Sequence, residues 1–300
     1  MSGVLFAIWR HPQSRVGLVT LCLILLVALI GPWLVCSPEA YVGAPHEPPS
    51  ALRWFGTTGQ GQDVLAQTIV GAGPTLLVGF TVGLLVTLIG GALGISAGLM
   101  GGRFDASMTL LINVSLVIPG LPLAILLAAY LPPGPVSLTA VLTLTGWAWT
   151  ARVIRSQALS LSRRDFIAAA RVAGEPTWRI VVFELTPHLA SLLLSSMIGS
   201  TIYAIGAQVG LEFLGLGDVS AVTWGTNLYW ASNDQALLTR AWWTFVPTGL
   251  GVALVGFSLA MINFGLDEVS NPRLGVERRW RKALMSRGVE PDTLTPRVKR

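Results

Sequence analysis

Apolar residues in this chain neither alternate nor keep to one helical face. They run on, almost without a charge, for about the 20 residues a helix needs to cross a bilayer. Six such runs stand out: Val16–Val35, Pro74–Met100, Ala106–Tyr130, Leu138–Ile154, His188–Val209 and Phe245–Leu266. The pattern predicts an all-α integral membrane protein with six transmembrane helices. Polar intervals divide it into a short lead (1–15), a first span (16–36), a Pro- and Gly-rich loop (37–73), a five-helix core (74–266) and a basic tail (267–300). Two longer polar segments interrupt the core, at 156–187 and 210–244.

Within the runs, Gly79, Gly83, Gly90, Gly94 and Gly98 put small residues on one face of the second helix, so that other helices can approach closely. Pro119 and Pro122 predict a kink in the third. The longest polar, basic interruption, Ser162–Pro187, reads as two short helices joined at Gly174. Asp165 is placed to cap the first, Ala168, Ala169 and Ala170 favour helix, and Gly174 suits a left-handed C-cap. Pro176 suits the start of the second helix, and Pro187 predicts a break or kink before the next span.

Composition fits this picture. Hydrophobic residues make up 52% and charged residues 12% of the 300, about half the charged share of a soluble domain, and the mean hydropathy is +0.65. The net charge of +5 is not interleaved with stacking aromatics as in a nucleic-acid surface. It gathers at Arg10, Arg15, Arg103, the six arginines from Arg152 to Arg179 and the nine basic residues from Arg273 to Arg300. The opposite side keeps only Arg53 and Arg240, so both termini and the 162–187 loop are expected in the cytoplasm. The first run is too long, and lacks the small-x-small site, for a cleaved signal peptide. Cys22 and Cys36 would lie about 21 Å apart on one helix and cannot pair.

Several chemistries are excluded. The only lysines, Lys282 and Lys299, are followed by Ala and Arg, so no phosphate-binding Gly-Lys-Ser/Thr loop exists and ATP is not hydrolysed by this chain. Gly94-Ile95-Ser96-Ala97-Gly98 spells a nucleophile elbow but lies inside an apolar helix with no histidine beside it, so no catalytic residue is assigned. No metal-ligand cluster is visible, and spans two to six lack the buried charges of an ion-coupled carrier between their ends. Polar groups such as Asn113, Thr145, Gln208 and Asn263 remain inside the membrane; they either bond between helices or line a path. Asp63 reads as a helix cap and alternatively as a solute or partner contact. Glu212 and Asp218, in a Gly-rich turn, carry the same two readings.

The Ala168–Ala170 run, Gly174 four residues on and Pro187 thirteen beyond resemble the EAA loop of the membrane subunits of ABC importers, with Ala168 where that motif has its glutamate. Phe55–Leu65 resembles the FGTD-x-x-GRDVL segment of the dipeptide, oligopeptide and nickel branch, with Gln62 replacing the arginine. Leu211–Gly217 and the following Trp224-Gly225 resemble the same branch, and Asn263–Leu274 is a divergent form of its tail. The resemblance implies the type I importer permease fold, working by alternating access. It implies that Asp165, Phe166, Ile167, Ala168, Ala169, Ala170, Arg171 and Gly174 couple to an ATP-binding subunit. Phe166 and Ile167 would be the apolar contacts, and Asp165 and Arg171 the polar ones. Asp63, Glu212 and Asp218 would serve an outer gate or a binding-protein contact. Implied partners are a homologous second permease, two ATP-binding subunits holding ATP and Mg, and an extracytoplasmic solute-binding protein. The cargo is expected to be di- or oligopeptides, with cello-type oligosaccharides or nickel as alternatives.

Overall fold

The computed structural model describes residues 12–270, with side chains through Leu266. Most of the expected lead 1–15 and tail 267–300 lies outside the described residues. The described chain is helical: α1 Pro12–Ile30, α2 Val64–Met100, α3 Gly102–Val117, α4 Gly120–Tyr130, α5 Pro135–Leu161, α6 Asp165–Val172, α7 Thr177–Arg179, α8 Thr186–Phe213, α9 Trp224–Asn233 and α10 Val246–Ser270. Short 3₁₀ turns follow α1 and precede α10. Among the described residues there is no strand, only two isolated bridges in the loop before α2.

Among the described residues, four stretches are long and apolar enough to cross a membrane alone: Pro12–Trp33, Val64–Met100, Thr177–Phe213 and Trp242–Leu266. A fifth arises if α3 and α4, bent by 81°, form one broken span. Of the six expected spans, four or five thus stand on length and composition. The predicted kink is a full break, because the residue before a proline is pushed out of the helical region. Ile118 takes ψ 124° and Pro119 ψ 113°. The run expected at Leu138–Ile154 is the 27-residue α5, whose second half carries Arg152 and Arg155.

The second span begins ten residues earlier than Pro74 predicts. Asp63 caps it, accepting from the N–H groups of Leu65 at 2.8 Å and Ala66 at 3.4 Å, and the helix runs straight through Pro74. A cap that satisfies the first-turn donors sets the start, and the packed helix absorbs the lost hydrogen bond and ring clash of an internal proline.

This 37-residue helix is the centre of the fold. Its glycine face serves two neighbours rather than one. Gly79 and Gly83 receive Ile205 and Thr201 of α8, while Gly90, Gly94 and Gly98 lie against the backbone of α5. At Gly94 a Cβ would stand 2.7 Å from the Ala151 carbonyl oxygen, so only glycine fits at this separation. Val82, Val86, Leu142 and Leu211 fill the space between α2, α4, α5 and α8. α1 leans on α10, where Gly17 meets Ser258 and Ser14 meets Gly265.

Pro187 does not break the helix that contains it. Residues Ile180–Leu185 widen into a π turn, in which the Thr186 N–H reaches back to Val181 O, and α7 runs on through it into α8. Widening the ladder accommodates the missing proline donor. The second short helix of the loop is therefore the first turn of the next span.

Candidate functional site

The loop between α5 and α8 hangs α6 at one end of the bundle, the loop end. Its N-cap is Arg164, without a side-chain cap bond, and Asp165 is the first helical residue. This corrects the capping role expected for Asp165, whose charge now acts on the open N–H groups of the first turn. The far end follows the sequence reading. Gly174 takes φ 81°, its N–H bonds Arg171 O, and the Glu175 N–H bonds Ala170 O, which together form a Schellman cap.

α6 has two faces. Ile167, 0% exposed, packs with Ile95, Leu99, Ile154, Ile180 and Leu185, and Phe166 stacks on His188 at 4.8 Å. The expected role of Ile167 as an apolar contact for another subunit is thus corrected: it moors the helix to its own chain. Phe166 is half-buried and does the same, with Ala170 beside it. Arg171 donates to Leu99 O at 3.1 Å, tying α6 to the end of α2. Asp165, Ala168, Ala169 and Val172 (90% exposed) face away from the bundle. Ala168, lacking the glutamate of the resembled motif, makes no side-chain bond across the loop.

A second tie escaped the sequence reading. Arg155 grips Asp105 through two hydrogen bonds, Nε to Oδ1 at 2.5 Å and Nη2 to Oδ2 at 2.7 Å. It fastens α3 to α5 beside the close contact of α2. Arg155 reads as part of a basic boundary and Asp105 as a loop acid, and 50 positions separate them, so no local spacing pairs them.

At the opposite, cap end, Glu212 is 4% exposed, which corrects its reading as a surface contact. It accepts from Gln208 Nε2 at 2.9 Å and from the Thr223 hydroxyl at 2.6 Å, while Gly217 and Gly225 close around it. Gln208 is therefore a partner of Glu212 and not free in a path; its Oε1 is buried without a partner. α9 is pinned across α2 by Trp224, whose indole N–H donates to Thr68 O at 2.9 Å, and by Asn227, whose amide donates to Gln67 O at 3.0 Å. Asp218 stays near the surface, where the Ser220 hydroxyl at 2.6 Å holds its carboxyl below the ordinary value. Asp63 is the cap of α2.

Between α2, α3, α5 and α8 lies a cavity of about 520 Å³. Thr145 lines it, together with Trp149, Thr150, Ser196, Ser200 and Tyr203. Ser195 also lines it and donates to Asn263 Oδ1, so Asn263 stands behind the wall. Asn113 lies on an exposed face of α3 and is not part of the lining. A second cavity, about 600 Å³, opens between the end of α2 and α6, with Arg163, Arg171 and Glu175 on its rim. Among the described residues no three His, Cys, Asp or Glu side chains form a group that could hold a metal.

Residues 90–275 match the family described as binding-protein-dependent transport system inner membrane component. The chain belongs to this family. It is 33% identical to the dipeptide transport system permease protein DppC of Bacillus subtilis, over 88% of this chain and 83% of that protein. It is 31% identical to the oligopeptide transport system permease protein OppC of the same organism, over 89% and 90%, and 30% identical to OppC of Mycobacterium bovis, over 88% and 91%. As an inner membrane component of this family, the chain is a multi-pass membrane permease subunit of an ABC importer, and ATP hydrolysis belongs to separate subunits. The match takes in α6, the cavity-lining parts of α5 and α8, and the Arg155 tie, so the features that carry the site fall within the family region.

Proposed function

We propose that this permease moves di- or oligopeptides inward by alternating access, delivered by an extracytoplasmic solute-binding protein and driven by two ATP-binding subunits that hold the ATP and Mg. The observation that carries the reading is α6. Its inner face is locked to three helices and its outer face, Asp165, Ala168, Ala169 and Val172, is exposed among the described residues. A push on that face reaches α8 through the Phe166–His188 stack and α2 through Arg171. Coupling requires that the ATP-bound motor favour one state of the permease through this contact.

In this reading α5 joins the four unbroken apolar spans and the broken α3–α4 span to make six, in a type I importer arrangement. The loop end and both termini face the cytoplasm, supported by the arginines gathered there. A homologous second permease completes the pathway. Gly199, Gly206 and Gly210 of α8 open on empty space, a surface on which another helix could close the cavity. Peptide cargo rests on the names of the relatives.

The test is uptake of labelled di- and tripeptides by cells with the gene intact, deleted and restored. Loss on deletion and recovery on restoration are expected. Unchanged peptide uptake, with loss of cello-oligosaccharide or nickel uptake instead, would overturn the cargo and leave the permease.

A further inference from the structure

The cavity between α2, α3, α5 and α8 has a wall with no charge on it. Its polar groups are the hydroxyls of Thr145, Thr150, Ser195, Ser196, Ser200 and Tyr203, and its apolar surface includes Trp149, Val86 and Leu116. Two of these hydroxyls are spent within the protein: Thr145 donates to Val141 O at 3.0 Å and Ser195 to Asn263. Thr150 and Ser200 meet only at 3.4 Å, a weak bond that a better partner would replace. Tyr203 is 41% exposed, and its hydroxyl lies 3.8 Å from where a Cβ on Gly120 would stand, at the foot of the break between α3 and α4.

Resting on the peptide-import reading, we infer that this cavity is the solute subsite of the chain, and that Ser196, Ser200, Thr150 and Tyr203 hold a passing peptide by its main-chain amides without reading side-chain charge. A hydroxyl both donates and accepts, so it serves the C=O and N–H that every peptide bond presents, and it can turn to suit either. An ion pair to a terminus or side chain would need a fixed opposite charge, and would also retain the solute strongly in a low-dielectric space. Hydroxyls with two aromatic walls give weak, replaceable contacts of the kind a transit site needs. The cavity also adjoins the joint in the broken span, where a change in the bend would alter its width.

In cells carrying the whole transporter, uptake of Ala-Lys-Ala and Ala-Glu-Ala is measured with the parent chain and with Ser200→Asp and Ser200→Asn. The solute-binding protein is the same throughout, so its own selectivity cancels when each variant's lysyl-to-glutamyl uptake ratio is divided by the parent's. A carboxylate placed on the path should move that ratio about tenfold from the parent value, upward where attraction speeds entry and downward where it retains the lysyl peptide, the effect of roughly 1.4 kcal/mol of differential attraction, and Ser200→Asn should leave the ratio at the parent value. An unchanged ratio in an active Ser200→Asp transporter overturns the inference. Should that variant fail to assemble, Ser200→Cys in a chain with Cys22 and Cys36 replaced by serine gives the second readout. Thiosulfonate modification of the new thiol should block uptake, and saturating Ala-Ala-Ala should slow the modification; modification that peptide does not slow overturns it. If the parent transporter takes up no peptide at all, the peptide-import reading falls instead, a result separate from either of these.

Discussion

Asp105 and Arg155 meet with both carboxylate oxygens and two guanidinium nitrogens engaged, although one lies on the first half of the broken span and the other on α5. Both side chains are about one-fifth exposed, so the pair is shielded enough to matter and wet enough to form without a large desolvation cost. Asp105→Ala and Arg155→Ala should each lower the melting temperature of the detergent-purified permease. A double-mutant cycle should give a coupling of about 1–3 kcal/mol. Additive single effects would show that the pair is a bystander.

Gly94 carries the closest backbone approach of α2 to α5. An added methyl would sit 2.7 Å from Ala151 O and 3.0 Å from the backbone nitrogen of Arg155. Gly94→Ala should therefore destabilise by about 1–3 kcal/mol through overpacking. Gly206→Ala meets nothing within 4 Å and should be neutral or stabilising by about 0.5–1 kcal/mol through helix propensity. Thermal unfolding of the two variants side by side checks the contrast, and equal behaviour would refute the packing argument.

The two faces of α6 should separate in experiment. Ile167→Ala empties a fully buried site and should cost about 2–4 kcal/mol of local stability, loosening the loop. Ala169→Arg, on the exposed face, should leave melting unchanged but abolish solute-stimulated ATPase activity in the assembled transporter. ATPase activity that survives Ala169→Arg would mean that the motor docks elsewhere.

Much of this was legible in the sequence where a local rule decides the outcome. Gly174 ends α6 because only a left-handed residue closes that cap, and Asp63 starts α2 because a carboxylate before an apolar helix finds its free N–H groups. A bend near Pro119 follows from the proline, but that the chain breaks there and runs on through Pro74 and Pro187 does not. What could not be read was which side of a helix faces its own chain. Ile167 and Ala168 are neighbours in the same apolar run, and only the position of α2 and α8 turns one inward and the other outward. Glu212 illustrates the same limit: its Gly-rich surroundings signal a turn, while its burial depends on Gln208 one turn back and Thr223 across the loop. Pro187 misled for a related reason, since the π turn that absorbs it is held by contacts from Ile180 and Leu185 to residues far away in sequence.

The cap end should respond to pH through Asp234. One of its carboxylate oxygens, Oδ2, is buried without a hydrogen-bond partner, as is Nε2 of His46 on the facing loop, whose Nδ1 lies 3.2 Å from the Thr239 hydroxyl. Burial pushes the Asp234 carboxyl above the ordinary aspartate value of 3.8, and the nearby His46 opposes this in part. An acid raised in the folded state favours folding when protonated. Its contribution is therefore fully present below pH 3.8 and is lost as pH rises through the folded value. Amide hydrogen exchange across residues 234–241 should accordingly quicken, relative to the intrinsic rate, as pH rises through that window. Asp234→Asn keeps the shape and removes the titration, so its protection should stay flat over the same range. Identical pH profiles for the two chains would show that the Asp234 proton has no part in holding the cap together.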